Sequence, residues 1–322
     1  MRLSACQGVQ EVIERKTDQT HSASRKPASE KIFDALAKVA ENKFTWLAPL
    51  IVFLVIFMFV PLLYMFVYSF YSMKGYVTIY EFTLDNYRNI FFDPNSIYLL
   101  MLGKSIIFSG TVTLICLALG YPIAYYIVKE VKKSENKLLL TLLFAVPFFA
   151  GELIRIYTIS HFLGPRGLIN KFLMAVGLQP LEVFNFTDYS VLITLTYVEV
   201  AFMTIAIYLS LINMNFNLID VAKSYGASSF RAFREVTWPL SSTGVFVGVI
   251  VVFVPMLAHY LSTTFVGGPN SSLFGNIVVH QFQAAAAWTM GSALATVLVA
   301  VGLIIVVILY KLLVRFKEGF WI

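Results

Sequence analysis

Six long apolar runs place the strongest constraint on what this chain can fold into. The hydrocarbon core of a bilayer is about 30 Å thick, and a helix needs roughly 20 apolar residues to cross it. Every one of the six runs reaches that length. The sequence therefore predicts an all-α integral membrane protein with six transmembrane helices. The predicted spans are residues 46–71, 97–128, 138–160, 188–212, 241–265 and 288–314.

The composition agrees with this class and excludes several soluble ones. Of the 322 residues, 58% are hydrophobic and 13% are charged, whereas about 25% of the residues of a soluble domain are charged. So few charges cannot cover the surface of a soluble enzyme of this size. Two cysteines exclude a disulfide scaffold and a cysteine-based metal site. The four histidines form no HExxH motif, so no zinc site is evident.

The distribution of Lys and Arg predicts the orientation of the spans. Eighteen of the 24 basic residues lie in the terminal segments and in two of the loops, and only four lie in the other three loops. The remaining two, Lys104 and Arg155, lie inside predicted spans. The positive-inside rule then places both termini in the cytoplasm. Because the charges alternate with apolar runs, they indicate membrane topology rather than nucleic-acid binding.

The regions outside the spans define the domain organisation. Residues 1–28 are polar and lack an apolar core segment, which predicts a disordered cytoplasmic tail rather than a cleavable signal peptide. Residues 29–45 have helical apolar spacing and predict an amphipathic helix on the membrane lipid. The transmembrane domain then occupies 46–314, with an informative loop at 213–240, and residues 315–322 form the cytoplasmic C-terminus.

The cytoplasmic loop 213–240 is too long for a simple helix connection, so we expect it to have its own structure. Four of its residues recur at helical spacing and predict a short amphipathic helix. Gly226 ends this helix as a left-handed residue, and Pro239 begins the next span, where its missing N–H costs little. Either the loop packs on its own bundle or its helix docks on a soluble partner. The four residues are Leu218, Val221, Ala222 and Tyr225.

The same loop resembles the EAA loop of ABC importer permeases. The motif's Glu, first Ala and Leu are replaced here by Asp220, Val221 and Trp238, which keep the charge or the apolar character. Residues that match or fit the motif are Asp220, Val221, Ala222, Gly226, Ala227, Phe233 and Pro239. Further stretches are similar to the spermidine/putrescine branch of these permeases. They lie at 82–87, 119–125, 146–148, 153–157 and 275–276.

The resemblance extends over about residues 46–314 and implies the type I ABC importer permease fold. Such a permease pairs with a second permease, here as a heterodimer, with two ATPase subunits and with an extracytoplasmic solute-binding protein. The resemblance implies no enzyme activity, cofactor or metal on this chain, because ATP and Mg²⁺ bind the ATPases. It places the chain in the bacterial cytoplasmic (inner) membrane. Gly103-Lys104-Ser105 is not a phosphate-binding loop, because Tyr98 stands where the first glycine of that motif belongs.

Charges at membrane depth are costly and are candidates for the solute path. Glu199 lies near the middle of the fourth span and needs a partner from another helix, a proton or an aqueous cavity. Glu152 and Arg155 lie on one helical face, so they either form a local ion pair or Glu152 faces the path. Tyr157 offers a ring face to an alkylammonium group or belongs to the membrane interface. His259 is expected to be a packing residue with satisfied polar atoms.

Two carboxylates in the path favour a small cationic solute such as a polyamine and disfavour an anion. Two other functions stay open at this point. One is an ABC permease for another small organic solute, such as an amino-acid derivative or an opine. The other is a secondary transporter driven by an ion gradient, which explains the intramembrane carboxylates but not the Gly/Pro-bounded cytoplasmic helix.

Overall fold

The chain folds mainly into helices in a computed structural model that describes residues 43–181 and 186–318. Five helices among these residues are long and apolar enough to cross a membrane. They correspond to the first, second, fourth, fifth and sixth predicted spans, and they confirm the predicted all-α membrane class. The five helices are Leu47–Tyr68, Tyr98–Lys129, Asp188–Leu211, Ser229–Leu257 and Trp288–Glu318.

The N-terminal predictions lie mostly outside the described residues. This holds for the tail at 1–28 and for the amphipathic helix at 29–45, except for positions 43–45, which belong to the first described helix, Lys43–Leu54. Within the described residues the α-helices are α1 (Lys43–Leu54), α2 (Val60–Tyr68), α3 (Asp85–Phe91), α4 (Tyr98–Lys129), α5 (Ser134–Ala145), α6 (Glu152–Leu163), α7 (Leu168–Ala175), α8 (Asp188–Leu211), α9 (Asn217–Ser224), α10 (Ser229–Ala232), α11 (Trp238–Leu257), α12 (Leu261–Phe265), α13 (Phe274–Gln283) and α14 (Trp288–Glu318). Strands β1 (Tyr71–Lys74) and β2 (Val77–Phe82) form an antiparallel hairpin.

The chain divides into two units, one up to Tyr64 and one from Met65 onward. In the first unit, a π turn at Val55–Phe59 lies between α1 and α2. Pro61 explains this turn, because proline has no N–H to donate to the carbonyl of Phe57. A wider helical turn accommodates the missing hydrogen bond.

The third predicted span, 138–160, is not one continuous helix. It consists of α5 and α6, each of 12 residues, with a 3₁₀ turn at Val146–Phe149 between them. Pro147 removes a backbone donor in that turn, and Ala150 and Gly151 are extended. Irregular backbone at membrane depth is tolerated where protein covers it or where it lines a cavity. The prediction of a single helix was therefore wrong at this break.

The predicted fifth span, 241–265, has the wrong limits at both ends. The long helix begins at Ser229 and ends at Leu257, and α12 follows as a separate helix after a turn. At the end of α11, the N–H groups of Ala258 and His259 bond to the carbonyls of Pro255 and Met256 and close a tight turn. Apolar content alone does not reveal this break, because apolar residues continue on both sides of it.

The core of the second unit lies where α4, α8 and α11 pack together. Small residues allow the backbones of α8 and α11 to approach closely, as in many membrane bundles. A Cβ atom added at Gly244 would lie 2.8 Å from the Ala206 carbonyl oxygen and would also collide with Ser210. The buried core side chains include Val112, Cys116, Ala124, Val191, Leu195, Met203, Ile207, Leu211, Val245, Val252 and Met256.

Replacing Gly244 with Ala is expected to destabilise this core. The added methyl group forces α8 and α11 apart, and overpacking of this kind costs about 1–3 kcal/mol. The matched control is Gly103→Ala, because nothing lies within 4 Å of a Cβ atom added there. Thermal unfolding of the purified protein in detergent should show a lower Tm for Gly244→Ala only. Equal Tm values for the two variants would contradict the packing described here.

At the end of the bundle remote from loop 213–240, α4 holds the turn that precedes α13. Lys104 Nζ donates to the Asn270 carbonyl at 2.5 Å and lies 3.6 Å from the Asp188 carboxylate. The backbone N–H of Phe274 donates to Ser105 Oγ at 2.7 Å. Lys104 therefore has local partners at the helix end and a structural role there.

Candidate functional site

The predicted short helix in the loop 213–240 is present as α9. It ends in a Schellman motif, in which the Gly226 N–H bonds to the Lys223 carbonyl and the Ala227 N–H bonds to the Ala222 carbonyl. Gly226 has φ +88°, which is the left-handed conformation expected for this residue. The local backbone of the EAA-like segment thus agrees with the sequence pattern.

The apolar side chains of α9 and α10 point mainly away from the bundle. Tyr225 is 89% exposed and Phe230 is 73% exposed, and Leu218 and Val221 are each about half exposed. Ile219, by contrast, is buried against the rest of the chain. We call Leu218, Val221, Tyr225 and Phe230 the docking face. An exposed apolar set of this kind on a rigid helix pair is typical of an interaction surface.

A cleft of about 330 Å³ lies between α9 and the start of α11. Two residues of the docking face, Leu218 and Val221, line one side of it. The predicted residues Ala222 and Pro239 also line it, whereas Asp220 is exposed on α9 and Ala227 and Phe233 are half-buried. The remaining lining residues are Glu235, Val236 and Leu240. Three of the EAA-like residues, Val221, Ala222 and Pro239, therefore meet in one concave surface.

The second half of the loop is continuous with a membrane helix. The Ser228 hydroxyl caps α10 by accepting from the Arg231 N–H, and a π turn at Phe233–Thr237 leads directly into α11. The Trp238 N–H bonds to the Phe233 carbonyl across that turn. Pro239 was predicted to begin the next membrane helix, and it is the second residue of α11. The π turn before it joins α10 to α11 and accommodates the donor that proline lacks. The second half of the loop is therefore joined to the membrane helix without a break in the helix Ser229–Leu257.

Five aromatic residues join the loop to the end of α4. Phe233 packs edge-on against Tyr121 at 5.6 Å between ring centroids and against Tyr125 at 6.3 Å. Trp238 lies 5.6 Å from Tyr121, and Phe216 lies 6.5 Å from Tyr125. The Tyr121 and Ser241 hydroxyls are hydrogen-bonded at 2.8 Å. Sequence analysis did not find this cluster, although two tyrosines four residues apart at the end of a span were a usable signal.

The predicted solute-path residues Glu152, Arg155 and Glu199 form one group with His259, which we call the charged cluster. Glu152 begins α6, and its Oε1 accepts from His259 Nε2 at 2.8 Å. Arg155 Nη1 donates to the Val198 carbonyl at 3.2 Å, which connects α6 to α8. Glu199 directly follows Val198 on α8, so the contact of Arg155 brings α6 to the part of α8 that carries Glu199.

The members of the charged cluster differ in exposure. The Glu152 side chain is 41% exposed, whereas the Glu199 residue is only 6% exposed and lies inside the chain. His259 differs from the expected satisfied packing residue, because its Nδ1 is buried without a partner in the described part of the chain.

Tyr157 is the fourth of the predicted solute-path residues. It is about half exposed, and its ring packs on Phe265 with 4.8 Å between centroids. Its backbone carbonyl is bonded to the His161 ring. The structure thus places Tyr157 on an open face of α6. Among the described residues, no three His, Cys, Asp or Glu side chains converge as metal ligands.

Comparisons with known proteins identify relatives of this chain. Residues 137–318 match the family described as the binding-protein-dependent transport system inner membrane component. The chain is 31% identical over 280 residues to the spermidine/putrescine transport system permease protein PotB of Haemophilus influenzae, which covers 85% of this chain and 96% of that protein. It is 34% identical over 229 residues to PotB of Escherichia coli, which covers 70% of this chain and 81% of that protein.

Solved structures share the fold. A bacterial alginate ABC transporter, crystallised in complex with its pentasaccharide-bound periplasmic protein, superimposes with a TM-score of 0.68 at 17% identity over 85% of this chain and 94% of the matched one. A second structure of a bacterial ABC transporter, involved in the import of alginate, gives a TM-score of 0.65 at 18% identity over 88% of this chain and 99% of the matched one.

Proposed function

Because the chain belongs to the family of binding-protein-dependent transport system inner membrane components, we propose that it is the permease subunit of an ABC importer for spermidine and putrescine. The observation that carries this proposal is the exposed docking face beside the EAA-like cleft, in a chain similar to polyamine permeases over most of its length. The chain forms half of the translocation path in the inner membrane, as a multi-pass protein with both termini in the cytoplasm.

The docking face is the contact for the ATPase subunits. Four large side chains lie exposed on two short helices, and each loses solvent contact if a partner covers it. Burial of apolar area contributes about 25 cal/mol per Å², so a few such side chains stabilise an interface appreciably. The cleft at Ala222 and Pro239 receives a complementary part of the ATPase. ATP and Mg²⁺ bind those subunits, and this chain performs no catalysis.

The continuous helix from Ser229 to Leu257 supports a coupling role for this face. ATP-driven movement of the ATPases displaces α9 and α10, and the helix carries the displacement into the bundle. The aromatic contact between Phe233 and Tyr121 carries the same displacement to α4. One local event at the loop therefore moves two membrane helices together.

The charged cluster lies beside the solute path, with Tyr157 on the neighbouring open face of α6. Glu152 is accessible and offers a carboxylate to a cationic solute. Glu199 lies deeper, and insertion of an acidic residue at the middle of a bilayer helix costs about 2.5–3.5 kcal/mol. A passing ammonium group reduces that cost. The second permease subunit, in a heterodimer with this chain, supplies the opposite wall, and an extracytoplasmic binding protein delivers the solute.

Uptake by the assembled importer tests this proposal. The chain is purified with its partner permease and the ATPases, reconstituted in proteoliposomes and supplied with the binding protein and radiolabelled spermidine. We expect ATP-dependent accumulation that unlabelled putrescine inhibits. Accumulation that needs an ion gradient and no ATP would instead identify a secondary transporter. ATP-dependent transport of another solute, without transport of either polyamine, would refute the polyamine assignment alone.

A further inference from the structure

Two breaks in the membrane helices meet at the charged cluster. One is the extended segment Ala150–Gly151 before α6, and the other is the turn that ends α11. Glu152 directly follows the first break, and His259 lies in the second. Their hydrogen bond of 2.8 Å therefore joins two segments that are not held by continuous helical backbone. Contacts between such segments are suited to opening and closing, because no helical hydrogen bonds have to break.

The donor in this bond is best described as a neutral imidazole. His259 Nδ1 is buried, and among the described residues no acceptor faces it. A proton on Nδ1 would therefore be an unsatisfied buried donor, which is costly. The tautomer with hydrogen on Nε2 donates to Glu152 and leaves a lone pair, not an N–H, unpartnered on Nδ1. A neutral donor adds no positive charge beside Glu152, so Arg155, three residues further along α6, is the cationic side chain of the charged cluster.

Glu152 is the carboxyl group of the charged cluster that a cationic solute can reach. The cluster holds two carboxyl groups, Glu152 and Glu199, and one guanidinium group, Arg155. Arg155 is held toward α8 by its bond to the Val198 carbonyl. The Glu152 side chain is 41% exposed, so a solute reaches it, whereas the His259 side chain is only 7% exposed.

We propose that His259 is hydrogen-bonded to Glu152 in the empty importer and that an ammonium group of the polyamine displaces His259 from Glu152 during transport. This inference rests on the proposed function, because it assumes a cationic solute. An ammonium–carboxylate pair is stronger than the bond from a neutral imidazole, because both of its partners are charged. Replacement frees His259 and releases the contact between the two helix breaks. His259 is then a specificity-determining residue that favours cations over neutral solutes.

The same exchange connects the solute to the docking face. His259 lies two residues beyond the end of the 29-residue helix that begins at Ser229. At 1.5 Å per residue that helix is about 43 Å long, with the docking face at one end and the charged cluster at the other. Release of His259 from Glu152 frees the end of that helix near the charged cluster. The helix can then move at its other end, where the docking face contacts the ATPases.

Three variants of His259 test the proposal in the complete importer in nanodiscs. His259→Gln keeps a neutral donor and serves as the matched control. His259→Lys places a permanent cation beside Glu152, which competes with the solute. His259→Ala removes the competitor. The measured quantity is the concentration of spermidine-loaded binding protein that gives half-maximal stimulation of ATP hydrolysis.

We expect the half-maximal concentration to rise roughly tenfold in His259→Lys, because a charged donor is stronger than a neutral one by about 1.4 kcal/mol. It should fall in His259→Ala and stay near the wild-type value in His259→Gln. A purely structural histidine predicts weaker stimulation in both the Lys and the Ala variants, and that result would overturn the proposal. So would a His259→Lys variant that matches His259→Gln.

If His259→Lys fails to assemble, His259→Ala decides by itself. A lower half-maximal concentration in that variant supports the proposal, and a higher one overturns it. Should that variant also fail, Glu152→Gln provides a second measurement, since it removes the charge for which His259 and the ammonium compete. Glu152→Gln should lose most of the preference for spermidine over neutral solutes, and an unchanged preference would refute the proposal. If the wild-type importer responds to neither polyamine, the proposed function fails instead.

Discussion

Replacement of Gly226 with Val is expected to uncouple the importer while leaving its membrane bundle intact. Gly226 closes α9 with φ +88°, and an L-residue in this region costs roughly 1–2 kcal/mol, with more for a β-branched side chain. No atom lies within 4 Å of a Cβ atom added there, so the effect comes from backbone strain and not from a collision. The Schellman motif should open, and the docking face should lose its fixed geometry.

Spermidine uptake by Gly226→Val should fall roughly tenfold or more, because each 1.4 kcal/mol changes an equilibrium tenfold. The matched control is Gly226→Asn, since asparagine tolerates the left-handed conformation. Uptake assays and thermal unfolding of both purified importers separate coupling from stability. The Val variant should keep the wild-type Tm and lose uptake, and the Asn variant should keep most of both. Full uptake by the Val variant would show that coupling does not need the left-handed residue at the end of α9.

Replacement of Val221 with Asp is expected to prevent stable binding of the ATPase subunits. Val221 is half exposed, lies in the docking face and lines the cleft beside α11. An interface that covers it would have to bury an unpaired carboxylate, which is costly. A loss of about 2 kcal/mol or more, typical of a central interface residue, corresponds to roughly a thirtyfold weaker complex.

The matched control for this experiment is Ser229→Asp. Ser229 is exposed in the same loop and begins α10, where a negative charge suits the helix N-terminus. Both variants add one negative charge, so a general electrostatic effect should affect them equally. Co-purification of the ATPases with the tagged permease should fail for Val221→Asp and succeed for Ser229→Asp. Equal recovery of the ATPases would show that the docking face lies elsewhere.

Local patterns were the part of the structure that sequence analysis could predict. Apolar runs of sufficient length indicate spans, because the thickness of the bilayer sets the length of the helix. The helix at α9 and the left-handed Gly226 follow from spacing and backbone sterics within a few residues. The EAA-like residues were also identified in advance, and their roles as a docking and coupling surface stay predictions.

The features that sequence analysis missed are of two kinds. Some are contacts between residues far apart in the chain, and others are places where the backbone can form either a continuous helix or a break. A continuous apolar run does not reveal that the third span breaks at Gly151, because apolar side chains fit either a helix or a break that protein covers. Likewise, Pro239 was expected to start a helix, and only the π turn before it shows how the helix continues through it.

The sequence by itself therefore determined the class of the protein, most of its spans, the family resemblance and the backbone of the docking helix. Tertiary structure alone decided that His259, 107 residues away from Glu152 in the chain, becomes its partner. It also decided that Tyr121 bonds to Ser241, 120 residues further on. The physical reason is that spans and helix caps depend on neighbouring residues, whereas these contacts depend on which helix faces pack together. In a membrane many apolar faces are equivalent, and small residues and polar partners select one packing arrangement.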